Sequence, residues 1–310
     1  MISVMKTIAP LKEGDTVALA ATARKVSPEE MAPAIARLRS WGLEVRVLEG
    51  LYDAENQFAG RDEHRAGLLQ QLLDDDAVKA VFCCRGGYGT VRIIDRLDFS
   101  HFAQRPKWIV GYSDVTVLHS HVHTQLGIPT LHGTMPVNMG EEVSPADESL
   151  RKVLFGEAVD YEWNTKVMAQ RAGSAEGIIV GGNLSILYSL CGSSSALDTR
   201  GKILLIEDLD EYLYHIDRMM QNLKRNGMLD GLSGLVVGGM TDMHDNAVPF
   251  GHSAEEIVME AIAEYHYPVV FNAPFGHLGG SNLALPLGTP VRLSVDPCGK
   301  AHLMGVGSSL

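Results

Sequence analysis

The N-terminal half of this chain alternates apolar runs with amphipathic segments, and this alternation restricts the fold to a small group. The predicted strands cover residues 15–20, 43–48, 78–84 and 107–110, and the predicted helices cover 27–41, 63–73, 90–97 and 115–125. Strands separated by helices of this length predict a mostly parallel sheet with helices on both faces. Ligands of such sheets bind beyond the carboxyl ends of the strands. We therefore expect an α/β fold with its site at that edge.

The second half of the chain has a different pattern. Regularity is lost between Gly140 and Gly173 and then resumes. Predicted strands cover 177–183, 202–207, 234–238 and 268–271, predicted helices cover 213–226 and 253–264, and a hairpin covers 290–295 and 301–306. A length of 310 residues suits two domains. We expect an N-terminal α/β domain over 1–150, a connecting segment over 151–175 and a smaller, β-rich domain over 176–310.

Charge and composition argue against several classes of function. The formal net charge is -12, whereas a nucleic-acid or anionic membrane surface calls for a basic protein. No apolar run is long enough to span a membrane, and the first six residues lack the apolar core of a signal peptide. The four cysteines have no metal-ligand spacing. We expect a cytoplasmic protein without nucleic-acid or membrane partners.

The segment Gly111-Tyr112-Ser113-Asp114 lies between a predicted strand and a predicted helix. A serine at such a corner can present its hydroxyl as a nucleophile, while the amides of the following turn can receive an oxyanion. The alternative is an ordinary helix N-cap. Val115 replaces the last glycine of Gly-x-Ser-x-Gly, so the segment is not a standard nucleophile elbow.

Two residues further along the chain could serve that serine. Glu207 directly follows a buried apolar run, where a partly desolvated carboxylate can fix the tautomer of an imidazole. His277 lies in a glycine-flanked loop with no obvious packing role, which makes it a candidate general base. The order of the three residues, Ser, acid and His, is that of α/β-hydrolases.

The glycine-rich run Arg85-Gly86-Gly87-Tyr88-Gly89 also follows a predicted strand. It lacks the Gly-Lys-Ser/Thr of a P-loop, which argues against nucleotide binding. Its glycines let backbone approach a substrate closely and offer an amide to an oxyanion. Arg85 could pair with a substrate carboxylate or form a structural salt bridge. We expect Arg85 and Tyr88 to contact the substrate.

Two histidine-containing segments invite a metal-binding interpretation. Only His119 and His123 of the group formed with His121 would share a helix face, and Ser120 stands where a zincin has glutamate. The second segment, 241–245, is equally well explained as a polar turn at the end of a strand. We predict neither a metal nor a cofactor.

Together these segments resemble the LD-carboxypeptidases, the muramoyltetrapeptide carboxypeptidase family of serine peptidases. The matching segments are 85–89, Gly111-Tyr112-Ser113-Asp114-Val115-Thr116, His132-Gly133, Gly181-Gly182-Asn183-Leu184, Glu207-Asp208 with Glu211, Gly276-His277, Asn282 and Leu285-Pro286-Leu287-Gly288. They follow the family order and cover nearly the whole chain. Each segment is short, but the ordered set is specific.

The resemblance implies a triad in which Ser113 attacks, His277 is the base and Glu207 orients it. It implies an oxyanion hole made by the amides of Asp114 and of the Gly86-Gly87 turn. It also implies a flavodoxin-like N-terminal domain, a β-rich C-terminal domain with the site at their junction, and a homodimer. We then expect Ser113 to lie within hydrogen-bond reach of His277 across the domain interface.

The family's reaction releases terminal D-alanine from cytoplasmic murein tetrapeptides during cell-wall recycling. The chain departs from the family at Ala21-Thr22-Ala23, where a Pro-Ser step is usual, and at Gly67, where aspartate is common. Neither position belongs to the triad. They put in question how closely the substrate pocket follows that of the best-known members.

Three alternatives remain open on the sequence alone. Microcin C immunity peptidases belong to the same family and cleave aminoacyl or peptidyl adenylate analogues. An aromatic loop that stacks on adenine would favour that activity, and the connecting segment holds Tyr161 and Trp163, which is too little to decide. The other two alternatives are a non-catalytic binding module and a metal-dependent hydrolase that uses the histidine group.

Overall fold

A computed structural model describes residues 6–165 and 170–306 and contains two sheets. The first sheet is built from β1 Thr16–Ala20, β2 Glu44–Arg46, β3 Val78–Cys83, β4 Trp108–Gly111, β5 Thr130–His132 and β11 Leu285–Leu287. Its first five strands are parallel in the order β2-β1-β3-β4-β5, which is the flavodoxin order. Strand β11 adds antiparallel to β5 at one edge.

Helices of the first half are α1 Pro28–Ser40, α2 Asp62–Asp74, α3 Ser100–Gln104, α4 Thr116–Leu126 and α5 Pro145–Leu154. The sequence indicates the start of α1 well, because Ser27 and Glu30 form a reciprocal capping box and Pro28 occupies the first turn. The helix expected over 90–97 is wrong in type. Two 3-10 turns stand there, Thr90–Arg92 and Ile94–Arg96.

A tertiary contact accounts for that correction. The Thr90 amide donates to Asp114 Oδ2 at 2.9 Å and the Thr90 hydroxyl bonds the Thr22 hydroxyl at 3.0 Å. These bonds fix the first residue of the segment against the turn that follows β4 and against the segment that follows β1. A segment of this length has little helical stability of its own, so tertiary contacts decide its geometry.

Part of the region in which the sequence pattern is lost forms regular structure. It contains α5 and, beyond it, β6 Asp160–Asn164. Helix α5 has a full capping box of Ser144 and Asp147, with Pro145 in its first turn. The buried Asp147 also pairs with Arg37 of α1 at 2.6 Å. The capping signal was therefore present in the sequence, but polar residues around it obscured the helix.

The second sheet contains β6, β7 Gly173–Asn183, β8 Ile203–Leu209, β9 Gly234–Thr241, β10 Val269–Val270, β12 Pro290–Val295 and β13 Lys300–Gly305. Strands β10, β9, β8 and β7 are parallel, while β7, β12, β13 and β6 form an antiparallel ladder. Three helices accompany it, α6 Leu184–Leu190, α7 Leu213–Arg225 and α8 Ala254–Ala261. The hairpin expected at the end of the chain is β12 and β13.

The two sheets share one buried apolar cluster. It includes Val17 and Val110 of the first sheet together with Ile179, Leu293 and Leu303 of the second. The expected fold is confirmed. A flavodoxin-like, mostly parallel sheet in the first part of the chain is followed by a second part built on a separate seven-stranded sheet. The domain boundaries stay a prediction. Within the described ranges, no helix has the length and apolar character needed to cross a membrane.

Candidate active site

Ser113 follows the carboxyl end of β4 in a 3-10 turn that leads into α4. Its φ is +62°, in the left-handed region that residues other than glycine rarely adopt. Behind it, the buried ring of His119 is bonded to the Gly111 carbonyl at 2.9 Å and to the Thr130 hydroxyl at 2.8 Å. Burial lowers the pKa of His119 to about 4, so this ring is neutral. A constrained serine is thus held at the strand end.

The glycine-rich loop lies directly against this serine. A Cβ added at Gly86 would meet Ser113 Cβ at 2.9 Å and Oγ at 3.0 Å, with the Asp114 amide nitrogen at 3.4 Å. Gly87 has φ +101°. Glycine is therefore required at both positions, at one because of the close approach and at the other because of the backbone angle. The backbone of the loop, the Ser113 side chain and the Asp114 amide lie together.

Glu207 and His277 form a buried pair at the corresponding edge of the second sheet. Glu207 ends up fully buried within β8, and its Oε2 lies 2.7 Å from His277 Nδ1. The backbone amide of His277 donates to the same oxygen at 3.3 Å. The loop is fixed further because Gly276 donates its amide to Asn282 Oδ1 at 2.7 Å and the Thr241 hydroxyl donates to the His277 carbonyl at 3.2 Å.

Opposing effects set the proton affinity of this histidine. Burial lowers the pKa of His277, but the hydrogen bond and charge of Glu207, with the charge of Asp208, outweigh it and raise the pKa above the ordinary value. The bond at Nδ1 places the second ring nitrogen, Nε2, at the opposite side of the ring. The pair therefore has the chemistry of a base oriented by a carboxylate.

The expected hydrogen bond between Ser113 and His277 is not formed. Within the described residues the Ser113 hydroxyl has no hydrogen-bond partner, while the Tyr112 ring lies 4.9 Å from the His277 ring, centroid to centroid. Tyr112, the residue before Ser113, is thus the part of this turn that contacts the His277 ring. Hydrogen bonds between a nucleophile and its base are commonly long in unliganded enzymes and shorten when substrate is bound.

A hydrogen-bonded connection joins the two halves of this site. The Asn183 amide at the end of β7 donates to the Thr116 hydroxyl of α4 at 3.0 Å, and Asn183 stands opposite Glu207 in the parallel ladder. The Asn183 side chain donates to Asp208 Oδ1 at 3.0 Å. Burial and then the charge of Glu207 raise the pKa of Asp208 to about 7. The sequence pattern predicts no function for Thr116, Asn183 or Asp208.

The two residues expected to contact the substrate lie at the rim of the site. Arg85 is paired with Glu30 of α1 at 3.0 Å and donates to the Lys25 carbonyl at 3.2 Å. Its guanidinium is therefore engaged in a structural salt bridge, one of the two outcomes the sequence left open. Tyr88 is 47% exposed and its ring lies 6.2 Å from that of Phe58.

The histidines of α4 have separate neighbours. His119 bonds within the first sheet, as described above, whereas His121 Nδ1 lies 2.9 Å from the Ser195 hydroxyl. Among the described residues no group of three or more histidine, cysteine, aspartate or glutamate side chains is arranged to hold a metal ion.

Tyr161 and Trp163, two aromatic residues of the expected connecting segment, belong to β6 and are partly buried. The Tyr161 hydroxyl donates to the Ala284 carbonyl at 2.8 Å and Trp163 Nε1 donates to the Phe271 carbonyl at 3.1 Å. Both rings pack near Phe275, with centroids at 5.9 and 6.2 Å. They support the loop that carries His277.

Comparison with known proteins decides the family. A model of the LD-carboxypeptidase N-terminal domain matches residues 16–133 and a model of the LD-carboxypeptidase C-terminal domain matches 176–293. The chain is 37% identical to the probable murein peptide carboxypeptidase of Bacillus subtilis, over 92% of this chain and 90% of that protein. The chain belongs to the LD-carboxypeptidase family.

Other members support the same assignment. The murein tetrapeptide carboxypeptidase of Pseudomonas aeruginosa is 29% identical, over 88% of this chain and 91% of that protein. The crystal structure of muramoyltetrapeptide carboxypeptidase from Oxalobacter formigenes superposes with a TM-score of 0.84 at 28% identity, covering 94% of this chain and 98% of that one. This LD-carboxypeptidase thus resembles its relatives along almost its whole length.

The microcin C7 self-immunity protein MccF, solved in complex with aspartyl sulfamoyl adenosine, has the same fold. Its TM-score is 0.83 at 22% identity, and the match covers 97% of this chain and 98% of that one. At this identity the likeness concerns the fold alone.

Proposed function

We propose that this LD-carboxypeptidase is a serine hydrolase that releases terminal D-alanine from murein tetrapeptides by cleaving the amide between an L-centre and D-alanine. The observation that carries the proposal is the 2.7 Å contact between the fully buried Glu207 and His277 at the edge of the second sheet, while Ser113 stands in a left-handed conformation at the edge of the first. The names of relatives that act on murein peptides support the substrate class.

In the proposed reaction Ser113 Oγ attacks the carbonyl carbon of the scissile amide as His277 Nε2 takes the hydroxyl proton. Glu207 holds the ring through Nδ1 and stabilises the imidazolium that forms. His277 then gives the proton to the departing nitrogen, and D-alanine leaves. A water molecule, deprotonated by the same histidine, hydrolyses the acyl-enzyme and regenerates Ser113.

Developing negative charge on the carbonyl oxygen requires fixed donors. We assign this role to the Asp114 amide and to the backbone of the Gly86-Gly87 turn, supported by the close approach of that turn to Ser113. Removal of one such donor typically costs about 10²- to 10³-fold in kcat. Tyr88, exposed on the same loop, is the proposed contact for the peptide stem, with Arg85 beside it.

The cellular setting follows from the substrate. Murein tetrapeptides that are recycled occur inside the cell, so we propose a cytoplasmic enzyme, and by analogy with the family a homodimer. Light scattering coupled to size-exclusion chromatography measures the second point. A molar mass of twice 33.6 kDa supports the dimer and a mass of 33.6 kDa contradicts it.

A substrate panel tests the proposed function. It contains murein tetrapeptides with lysine or diaminopimelate at the third position, the corresponding pentapeptides, and aspartyl sulfamoyl adenosine. We expect D-alanine release from at least one tetrapeptide, without hydrolysis of the adenosine compound. Hydrolysis of the adenosine compound alone would contradict the proposal and establish the microcin-type activity.

Tyr161 and Trp163, the two aromatic residues considered for stacking on adenine, do not support the adenylate as substrate. Recognition of adenine by stacking needs an aromatic face free to receive it. Tyr161 and Trp163 instead bond to backbone carbonyls and pack near Phe275.

A further inference from the structure

A carboxypeptidase must recognise the free carboxylate at the end of its substrate. In the proposed reaction this carboxylate stands one residue beyond the carbonyl that Ser113 attacks. An arginine suits this task because its guanidinium binds a carboxylate with two parallel hydrogen bonds. Arg85 is the obvious candidate from the sequence, but it already binds Glu30 and the Lys25 carbonyl. Another cation has to be found near Ser113.

Arg24 lies across the glycine-rich loop at this place. A Cβ added at Gly87 would stand 2.3 Å from Arg24 Cδ and 2.8 Å from Cγ, so the arginine stem covers the α-carbon of Gly87. The neighbouring Gly86 makes the corresponding contact with Ser113, at 2.9 Å to its Cβ. Arg24 and the candidate nucleophile therefore contact successive residues of the same loop.

The guanidinium of Arg24 is available. The residue is exposed, and in the described part of the chain it forms no ion pair. Other arginines around the loop are engaged: Arg85 with Glu30, Arg92 with Asp62, and Arg61 with Glu55. A backbone bridge between Arg24 and Phe58 fixes the start of the side chain. Arg24 is thus an anchored cation without an acidic partner.

The reach of Arg24 fits the substrate. Consecutive α-carbons are ~3.8 Å apart, so the contacts at Gly86 and Gly87 hold Arg24 Cδ within about 12 Å of Ser113 Oγ. The distance from Ser113 Oγ to a group that binds the terminal carboxylate is on the order of 10 Å. It consists of the attack distance, the length of one residue and a charge-assisted hydrogen bond. A carboxylate one residue beyond the scissile carbonyl is therefore within reach of a flexible guanidinium.

We propose that Arg24 binds the terminal carboxylate of the substrate and so makes this enzyme a carboxypeptidase. The inference rests on the proposed function. It adds the residue by which the enzyme would recognise the C-terminal end of a peptide substrate.

The test compares a tetrapeptide with its C-terminal amide in the wild type and in three variants. Arg24→Gln removes the proposed contact, Lys25→Gln removes the adjacent exposed cation as a matched control, and Arg85→Gln removes the competing candidate. We expect wild type to prefer the free acid. Arg24→Gln should lower kcat/KM for the acid about 10- to 100-fold and leave the amide unchanged, as expected for loss of a charge-assisted bond. Arg24→Lys should recover part of the preference.

Each outcome has a defined meaning. Lys25→Gln should keep both the wild-type preference and the wild-type melting temperature, and Arg24→Gln should keep the melting temperature, because both side chains are exposed. Retention of the acid preference in Arg24→Gln, or its loss in Arg85→Gln alone, would overturn the inference while the proposed function stands. If wild type releases D-alanine from no tetrapeptide, the proposed function fails, and this inference with it.

Discussion

At the scale of single residues, the proposed chemistry depends most on the Glu207–His277 contact. A carboxylate with no exposed surface is held against Nδ1 of a ring that is only 14% exposed. Burial alone would lower the pKa of this histidine, yet the charge and hydrogen bond of Glu207 raise it. The electrostatics of the pair therefore determine both the tautomer and the pH range over which His277 is a neutral base.

Replacing Glu207 by glutamine should move the acid limb of the pH–rate profile. His277 must be neutral to accept a proton, so activity falls as the pH decreases through its pKa. The hydrogen bond and the negative charge of Glu207 raise the pKa of His277. Glutamine has no charge, so the pKa falls and the acid limb should move to lower pH. In addition, kcat/KM at its maximum should fall about 10²- to 10⁴-fold, because the tautomer is no longer fixed. The measurement is kcat/KM for D-alanine release between pH 5 and 9.

A matched control exists in the second sheet. Asp160 and His302 form an acid–histidine contact at 2.6 Å in the antiparallel ladder of β6 and β13. Asp160→Asn should leave both the limb and the maximum unchanged. An unmoved limb in Glu207→Gln, or movement to higher pH, would contradict the assignment of His277 as the base.

At the scale of secondary-structure elements, a contact between α4 and the end of β7 joins the two halves of the proposed site. Thr116 stands three residues after Ser113 and accepts the amide of Asn183, which lies opposite Glu207 in the ladder. A Cβ at Gly182 would lie 2.5 Å from Thr116 Oγ1. The backbone of Gly182 thus lies too close to Thr116 for a side chain at Gly182. The hydrogen bond from the Asn183 amide to the Thr116 hydroxyl fixes this close approach of α4 and β7.

Thr116→Val should reduce kcat at least 10-fold with little change in KM, whereas Thr116→Ser should retain most of the activity. Valine keeps the shape but removes the acceptor, so a buried amide loses its partner at a cost of about 1–3 kcal/mol in stability. Thr199→Val is the control, because the buried Thr199 hydroxyl donates to the Met228 carbonyl at 2.7 Å within the second half of the chain. Steady-state kinetics and thermal melting measure both effects.

Comparing Thr116→Val with Thr199→Val distinguishes an effect on the alignment of the two halves of the site from an effect on the stability of the fold. Both should lower the melting temperature, but only Thr116→Val should lower kcat beyond the effect on folding. Equal kinetic effects in Thr116→Val and Thr199→Val would show that the contact has no special function in alignment.

Elements with a strong local signal could be predicted from the sequence, and those fixed by tertiary contacts could not. The α1 helix begins at Ser27-Pro28 with a capping box, so the sequence predicts its start. The apolar run of β8 leads into Glu207-Asp208, so the sequence also predicts this strand. Strand β11 has only three residues and exists because it pairs with β5. The pairing of Arg85 with Glu30 depends on how α1 packs, which the sequence does not specify.

At the scale of the whole molecule, the two sheets depend on each other. Strand β11 comes from the C-terminal part of the chain and completes the edge of the first sheet, and a single apolar cluster spans both sheets. Triad candidates follow the same division, with Ser113 on the first sheet's edge and Glu207 on the second's. The site is therefore complete only when the sheets are assembled.

Unfolding should accordingly occur in one cooperative transition. Far-ultraviolet circular dichroism, tryptophan fluorescence and D-alanine release should be lost with the same midpoint in guanidinium chloride. A fragment that ends before β11 lacks an edge strand and should fail to fold. Two separate transitions, or a folded N-terminal fragment, would contradict the interdependence of the sheets.

The central claim is that Ser113 is the nucleophile that His277 activates. The most direct test compares D-alanine release from a murein tetrapeptide by the wild type and by Ser113→Ala, with circular dichroism to verify folding. The account predicts that the variant folds normally and that its kcat falls at least 10⁴-fold, the loss expected when the nucleophile of a triad is removed. Full activity in a folded Ser113→Ala variant would contradict it.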